Sequence, residues 1–215
     1  MAAQIGKPYE VSLWNGYANY GLSSHLVPGP LSRGDGRTNT AVTSVFVWGA
    51  SCSGRPGAWY IEVGFAYNQG CDCWGIFYST NYWPYGDCNR WYQAFVGPAN
   101  ETDWHTLQAY RDSVDINGYN VWIDGHVYTK LPLPGGNPSP RLTIGTHHSE
   151  TNIYSIWSLT EYVYRYQQPG GSSPVRAEVH TVYCVPGSGQ RYAVHWYDYG
   201  HFLLYGPTGG ACFVH

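Results

Sequence analysis

The feature that most limits what this chain can fold into is a two-residue period of apolar and polar side chains that returns a dozen times. It runs through YEVSLW (9–14), TAVTSVFVWGA (40–50), AWYIEVGFAY (58–67), WGIFYST (74–80), TLQAYRD (106–112), YNVWID (119–124), HVYTKL (126–131), RLTIGTHH (141–148), EYVYRYQ (161–167), RAEVHTVYC (176–184), RYAVHWY (191–197) and HFLLYG (201–206). Successive side chains of a strand point to opposite faces, so this period marks strands that pack one face and offer the other. No stretch has a comparable helical period. Asn117-Gly118 and Asp124-Gly125 are residues that accept positive φ, as two-residue hairpins require, and they predict an antiparallel meander over 106–131. The segments PGPLSRGDG, LPLPGGNPSP and QQPGGSSP read as loops rather than domain linkers, because strands of the same character continue on both sides. The expected fold is all-β: an antiparallel double-sheet β-sandwich, a concanavalin-like jelly roll, formed as a single domain over residues 1–215.

Charge then narrows the partners. Charged residues are 12% of the chain, half the roughly 25% usual for soluble proteins, and the net charge is −3. That leaves no broad basic field for phosphates, so nucleic acid is not an expected partner. Nor is a membrane, since no window approaches 18 consecutive apolar residues. The opening MAAQIGKPYEV lacks the basic start and apolar run of a signal peptide, and is read as the start of a mature form with an added methionine. Cys52, Cys71, Cys73, Cys88, Cys184 and Cys212 form an even set, which points to an oxidising compartment and a secreted, extracellular protein. Four of them fall within 52–88 and are expected to staple local loops, in a pairing the spacing does not choose. Asn100-Glu101-Thr102 fits a glycosylation sequon.

Several chemistries find no support in the spacing. Cys71-Asp72-Cys73 is not the C-x-x-C of a metal knuckle, and His147 and His148 would point to opposite faces of a strand. The other histidines are scattered without ligand spacing, so no metal and no cofactor is expected. A G-x-S-x-G nucleophile elbow does not occur.

One carboxylate is conspicuous. In AWYIEVGFAY, alternation sends Trp59, Ile61, Val63 and Phe65 to one face and Tyr60, Glu62, Gly64 and Ala66 to the other. Glu62 is thereby placed outside the core layer, beside an aromatic ring and two residues too small to fill the space. Two segments offer a second acid. RLTIGTHHSETN would put Ile144, Thr146, His148 and Glu150 on one side if its strand persists that far, and RAEVHTVYC puts Glu178 and His180 on one face. Two carboxyl groups in a partly dry groove cannot both ionise cheaply, so one keeps its proton while the other stays charged. Such a pair can deprotonate a water attacking a carbonyl and stabilise the oxyanion, and it works best in acid.

In their order, SVFVWGASC, WYIEVGF, FYSTNYWPY, VWIDG and GTHHSETN resemble the motifs of the glutamic peptidases, the eqolisins and neprosins, and of related secreted bacterial β-sandwich proteins, over roughly residues 40–165. The resemblance implies a seven-stranded double sheet. It places Glu62 of IEVG where that group has a catalytic Gln or Glu, and matches the second catalytic glutamate best to Glu150, with Glu178 as the rival. Trp48 would match the tryptophan lining the cleft, and Tyr60 shares the face of Glu62. The activity implied is an acid-active endopeptidase acting on polypeptide.

A second unusual feature is STNYWPYGDCNRWYQAF, with Tyr82, Trp83, Tyr85, Trp91 and Tyr92. Such rings either pack a sandwich rim or form an exposed platform that stacks on sugars or polypeptide side chains. A non-catalytic, lectin-like carbohydrate-binding module with polysaccharide as partner is therefore the competing expectation. A third is an extracellular structural protein that self-associates through tyrosine-rich faces. The sequence leaves the oligomeric state open.

Overall fold

The computed structural model describes residues 9–14, 20–29, 31–33, 41–51, 58–68, 73–82, 84, 86–87, 90–134, 142–148, 153–176, 181–184, 191–198 and 201–208, in β1, β3, β11 and β14 as backbone. The strands are β1 (Tyr9–Trp14), β2 (Gly21–Val27), β3 (Leu31–Arg33), β4 (Ala41–Ser51), β5 (Ala58–Asn68), β6 (Cys73–Thr80), β7 (Tyr92–Ala99) and β8 (His105–Arg111). They continue as β9 (Gly118–Ile123), β10 (His126–Pro132), β11 (Leu142–His148), β12 (Ile153–Tyr166), β13 (Pro174–Arg176), β14 (Thr181–Cys184), β15 (Arg191–Asp198) and β16 (His201–Thr208). Among the described residues, one sheet has seven strands in the order β14-β1-β11-β4-β5-β6-β7. The other has nine, ordered β10-β9-β8-β2-β12-β16-β15, with β3 and β13 also paired to β12. The pairings are antiparallel, and the chain is an all-β double-sheet sandwich as the alternation predicts. The seven strands implied by the resemblance are those of one sheet only.

The two sheets close over one apolar layer. From β5 and β6 come Ile61, Val63, Phe65, Tyr67, Trp74 and Ile76; opposite them lie Leu26, Leu107, Ala109, Val121, Ile123 and Phe202. Each fully buried Leu, Ile, Val or Phe side chain contributes about 1.5–3 kcal/mol by leaving water. His105 joins this layer at one end of the sandwich, its ring 5.4 Å from that of Phe65.

Four strands escaped the alternation, β2, β3, β7 and the three-residue β13. β2, GLSSHLV, turns two serines into the sheet, Ser23 and Ser24, both buried. β7, YQAFVGPA, is an edge strand carrying Gly97 and Pro98, residues an interior strand rarely tolerates. β3 has three residues, too few for a period. β12 also begins earlier than expected, at Ile153.

The meander β8-β9-β10 forms as predicted, but by one tight turn rather than two. Asp124 and Gly125 take φ of 52° and 79°, the left-handed pair a two-residue hairpin needs. Asn117-Gly118 does not make such a turn. Gly118 instead opens β9, and the connection from β8 is a longer loop built on Asp112. The Asp112 carboxylate accepts the backbone N–H groups of Val114 and Asp115 at 2.8 and 2.9 Å, and Asn120 Nδ2 and Lys130 Nζ at 3.0 and 3.2 Å. These donors, the two backbone groups first, hold its carboxyl well below the usual carboxylate range.

Candidate active site on the outer face of the seven-stranded sheet

Glu62 sits mid-strand in β5, with Phe46 of β4 opposite it on one side and Ser79 of β6 on the other. The core-facing half of the strand is as alternation predicts, with Ile61, Val63 and Phe65 fully buried between the sheets. On the outer face Glu62 is only 6% exposed, which excludes a carboxylate that simply faces water. A buried carboxylate costs several kcal/mol unless hydrogen bonds replace its hydration. One of those bonds comes from Ser79, whose Oγ donates to Glu62 Oε2 at 2.8 Å.

Among the described residues, the space beside Gly64 and Ala66 is taken by an aromatic ring rather than left open as the sequence suggests. Phe77, the partner of Gly64 in the β5–β6 register, is buried beside Ala66 and takes that space. Phe95 of β7 then lies over Gly75, where an added Cβ would come within 2.9 Å of its ring. Gly64, Ala66 and Gly75 thus make way for aromatics at one end of this face. The polar end is left to Glu62 and its neighbours.

Those neighbours are held in place by backbone as well as side chains. Asn81, buried just beyond β6, accepts the backbone N–H of Tyr60 through Oδ1 at 2.8 Å. Thr80 Oγ1 accepts the N–H of Tyr82 at 3.2 Å, and the Tyr82 ring meets Trp59 edge-on at 5.0 Å. Burial pushes the Tyr60 hydroxyl well above the ordinary tyrosine range, the negative charge of Glu62 pushes it further, and a hydrogen bond with Ser79 works against both. Tyr60 is therefore a neutral phenol at any working pH. Next along the same row, opposite Ser79, stands the half-buried Gln93 of β7. The arrangement joins a buried carboxylate, a hydroxyl bridging it to a phenol, and amides from Asn81 and Gln93 on adjoining strands. It can accept a proton at Glu62 and donate hydrogen bonds around it.

The other sequence-predicted residues are distributed differently. Trp48 of β4 pairs with Tyr60 in the register, one step along from the Phe46–Glu62 pair, but its side chain lies outside the described residues. Glu150, Glu178, Trp83 and Tyr85 also lie outside them. β11 is described as far as His148, so its continuation towards Glu150 lies outside the described residues. Its register shows which residues share a row. Ile144 and Thr146 pair with Val45 and Thr43, whose partners on β5 are the core-facing Val63 and Phe65; His147 pairs with Val42, whose partner Ala66 shares the face of Glu62. A partner for Glu62 from this segment has to come from beyond the strand. Trp91 is 62% exposed just before the edge strand β7, whereas Tyr92 is partly buried with its ring 6.4 Å from that of Tyr78. Cys73 is disulfide-bonded, and the rest of the pairing lies outside the described residues. Among the described residues, no three His, Cys, Asp or Glu come together as metal ligands.

Ser79 and Asn81 were missed by sequence reasoning. The available signal was register: a strand hydrogen-bonded to β5 with a small hydroxyl opposite Glu62 is what a buried acid needs, and WGIFYSTN carries one near its end.

No family model and no curated protein matches the sequence. Among solved structures, Scytalido-glutamic peptidase bound to a peptide-based transition-state analog aligns with a TM-score of 0.50 and 10% identity, covering 92% of this chain and 96% of that one. An endo-acting O-glycanase structure, from prominent human gut bacteria that initiate mucin breakdown, gives 0.47 and 16% over 73% of this chain, which spans 59% of that one. A Bacteroides ovatus GH16 enzyme in complex with its G4G4G3G product gives 0.41 and 8%, covering 65% and 66%. Fold and site together define an antiparallel β-sandwich with a buried carboxylate on an outer sheet face, and the likeness to Scytalido-glutamic peptidase is one of fold.

Proposed function

We propose that the chain is a glutamic-type endopeptidase working in acid, with Glu62 as general base and Glu150 or Glu178 supplying the second carboxyl. The observation that carries this reading is the burial of Glu62 on an outer face, oriented by Ser79. Replacing a buried charge by a well-packed apolar side chain is often neutral or stabilising, so an acid at this position supports a role in chemistry rather than in stability. In the proposed reaction Glu62 takes a proton from water as the water oxygen adds to the scissile carbonyl carbon. The oxyanion is stabilised by hydrogen bonds from the second carboxyl, from neutral Tyr60 or from an amide such as Asn81 or Gln93. The proton then passes to the leaving amine as the C–N bond breaks. Ser79 fixes the orientation of the base. Disulfide-bonded Cys73 supports an oxidising, extracellular setting for this chemistry.

The test is casein hydrolysis at about pH 4, where paired carboxylates are expected to work. Glu62→Gln keeps the shape and an acceptor for Ser79, and should lower the rate by about 10²–10⁴-fold. Hydrolysis at the wild-type rate by a folded Glu62→Gln protein would remove the proposed role.

A second reading has its own observation. Trp91 and Phe95, 62% and 54% exposed at the β7 edge, suit a platform that stacks on sugar rings. A carbohydrate-binding module would be retained by an insoluble polysaccharide and released by Trp91→Ala. No retention, or retention unchanged by the substitution, excludes it.

A further inference from the structure

The opposite side of the molecule, the outer face of the nine-stranded sheet, carries a cavity of about 310 Å³ lined by Val27, Gly29, Glu101, Thr102, Trp104, Leu159 and Leu203. Its floor is set by register. Val27 of β2 pairs with Leu159 of β12, and Leu159 pairs with Leu203 of β16, so three aliphatic side chains stand abreast. Two residues further along the same strands and on the same face comes the row His25, Glu161 and His201.

The walls are fixed before any ligand arrives. Gly29 donates its N–H to the carbonyl of Glu101 at 3.1 Å, tying the β7–β8 loop to the end of β2. Within that loop Asn100 Nδ2 donates to Asp103 Oδ2 at 2.6 Å. The Trp104 ring, 37% exposed, rests on His25 at 4.8 Å, and His25 is itself held by Glu161 Oε2 at 3.3 Å. Such a pocket spends little free energy on ordering its own groups when it binds.

Its chemistry is one-sided. Among the described residues the lining brings together three aliphatic side chains, Trp104 and the acidic residue Glu101, and includes no lysine or arginine. A group with an apolar stem and a positive tip matches all three features: methylenes over Val27, Leu159 and Leu203, and the ammonium between the Trp104 ring and the Glu101 carboxylate. We propose that this cavity binds an alkylammonium group, the lysine side chain of an extended polypeptide, on the face opposite Glu62. The site is independent of the hydrolase reading and survives its failure. Should that reading hold, the cavity becomes a second contact that recruits basic polypeptides.

The test uses the full chain, an acetylated and amidated Gly-Gly-Lys-Gly-Gly peptide, and the same peptide with norleucine, which keeps the stem and lacks the charge. Trp104→Phe is the probe variant, because it keeps a ring against His25; Glu101→Gln is an isosteric change on an exposed loop. The lysine peptide should bind saturably by calorimetry, at least tenfold more tightly than the norleucine peptide and than free butylammonium. Glu101→Gln and Trp104→Phe should each weaken it severalfold, with unfolding temperatures unchanged. Equal affinity for norleucine would make the cavity merely apolar and overturn the assignment. Butylammonium binding as tightly as the peptide would overturn the polypeptide source. Binding of a neutral oligosaccharide in place of the lysine peptide, or no lysine binding at all, would also end it.

Discussion

Glu62 and Glu161 occupy equivalent places in opposite sheets. Each stands mid-strand on an outer face, and each reaches a side chain on the neighbouring strand. Glu62 is 6% exposed and takes its hydrogen bond from the neutral hydroxyl of Ser79. The Glu161 side chain is 32% exposed and faces His25 at 3.3 Å, a third of whose surface is also open. The difference is cover rather than residue type. A charge that water still reaches is cheap to keep and contributes little, whereas one stripped of water must be supported by its surroundings. The buried acid is thus a device and the exposed one a fitting.

That contrast can be broken in order of effect. The largest consequence belongs to Glu62→Gln, for which casein hydrolysis in acid should fall by about 10²–10⁴-fold while the fold persists. Next comes Ser79→Ala. Removing a donor from a buried carboxylate should cost about 1–3 kcal/mol in urea unfolding, more than Glu62→Gln costs, because the glutamine still accepts from Ser79. A Ser79→Ala protein as stable as wild type would mean that the bond does not support the acid.

Alkaline pH acts on both faces alike. Burial is the first cause raising Tyr60 on one outer face and Tyr110 and Tyr166 on the other, with Tyr110 pushed up to about 12. Their unfolded value is about 10. A group whose folded pKa is raised contributes stability that is complete below the unfolded value and is lost as pH climbs through the folded one. Stability should therefore be flat with respect to these tyrosines up to about pH 10 and fall above it. A wild-type minus Tyr110→Phe difference in phenolate absorbance that rises at the ordinary tyrosine midpoint, with both proteins still folded, would contradict this. The smallest effect is expected for Glu161→Gln: at most about 1 kcal/mol, shrinking in high salt, since both partners are solvated. A loss as large as that of Ser79→Ala would erase the distinction between the two acids.

Much of the fold was legible because alternation is a local property. β5 could be read residue by residue: Ile61, Val63 and Phe65 enter the core as the alternation puts them, and Trp59 packs against it. The hairpin at Asp124-Gly125 was legible too, since left-handed backbone selects its residues. The same reasoning misjudged Asn117-Gly118, because Asp112 offers that loop two backbone bonds that no dipeptide rule includes. It also passed over β2, whose serines disguise a central strand, and β7, whose glycine and proline are tolerated only at an edge. For the candidate site, the position and face of Glu62 were readable. Its proximity to Ser79 was not, because that contact joins residues 17 apart through a register that hydrogen bonding sets. Glu150, Glu178, Trp83, Tyr85 and the side chain of Trp48 lie outside the described residues, so their part in the site stays with the proposal.

By itself, then, the chain's period determined that strands would form, that they would pack as two sheets, and that one acid would leave the core layer. Burial was decided elsewhere. Whether that acid meets water or a serine depends on which strands lie beside it and on what covers their outer face, and those are long-range contacts that no local pattern encodes. The same physics gave Glu161 its histidine and its solvent, and brought a tryptophan and three aliphatic side chains from strands far apart in the chain to one cavity.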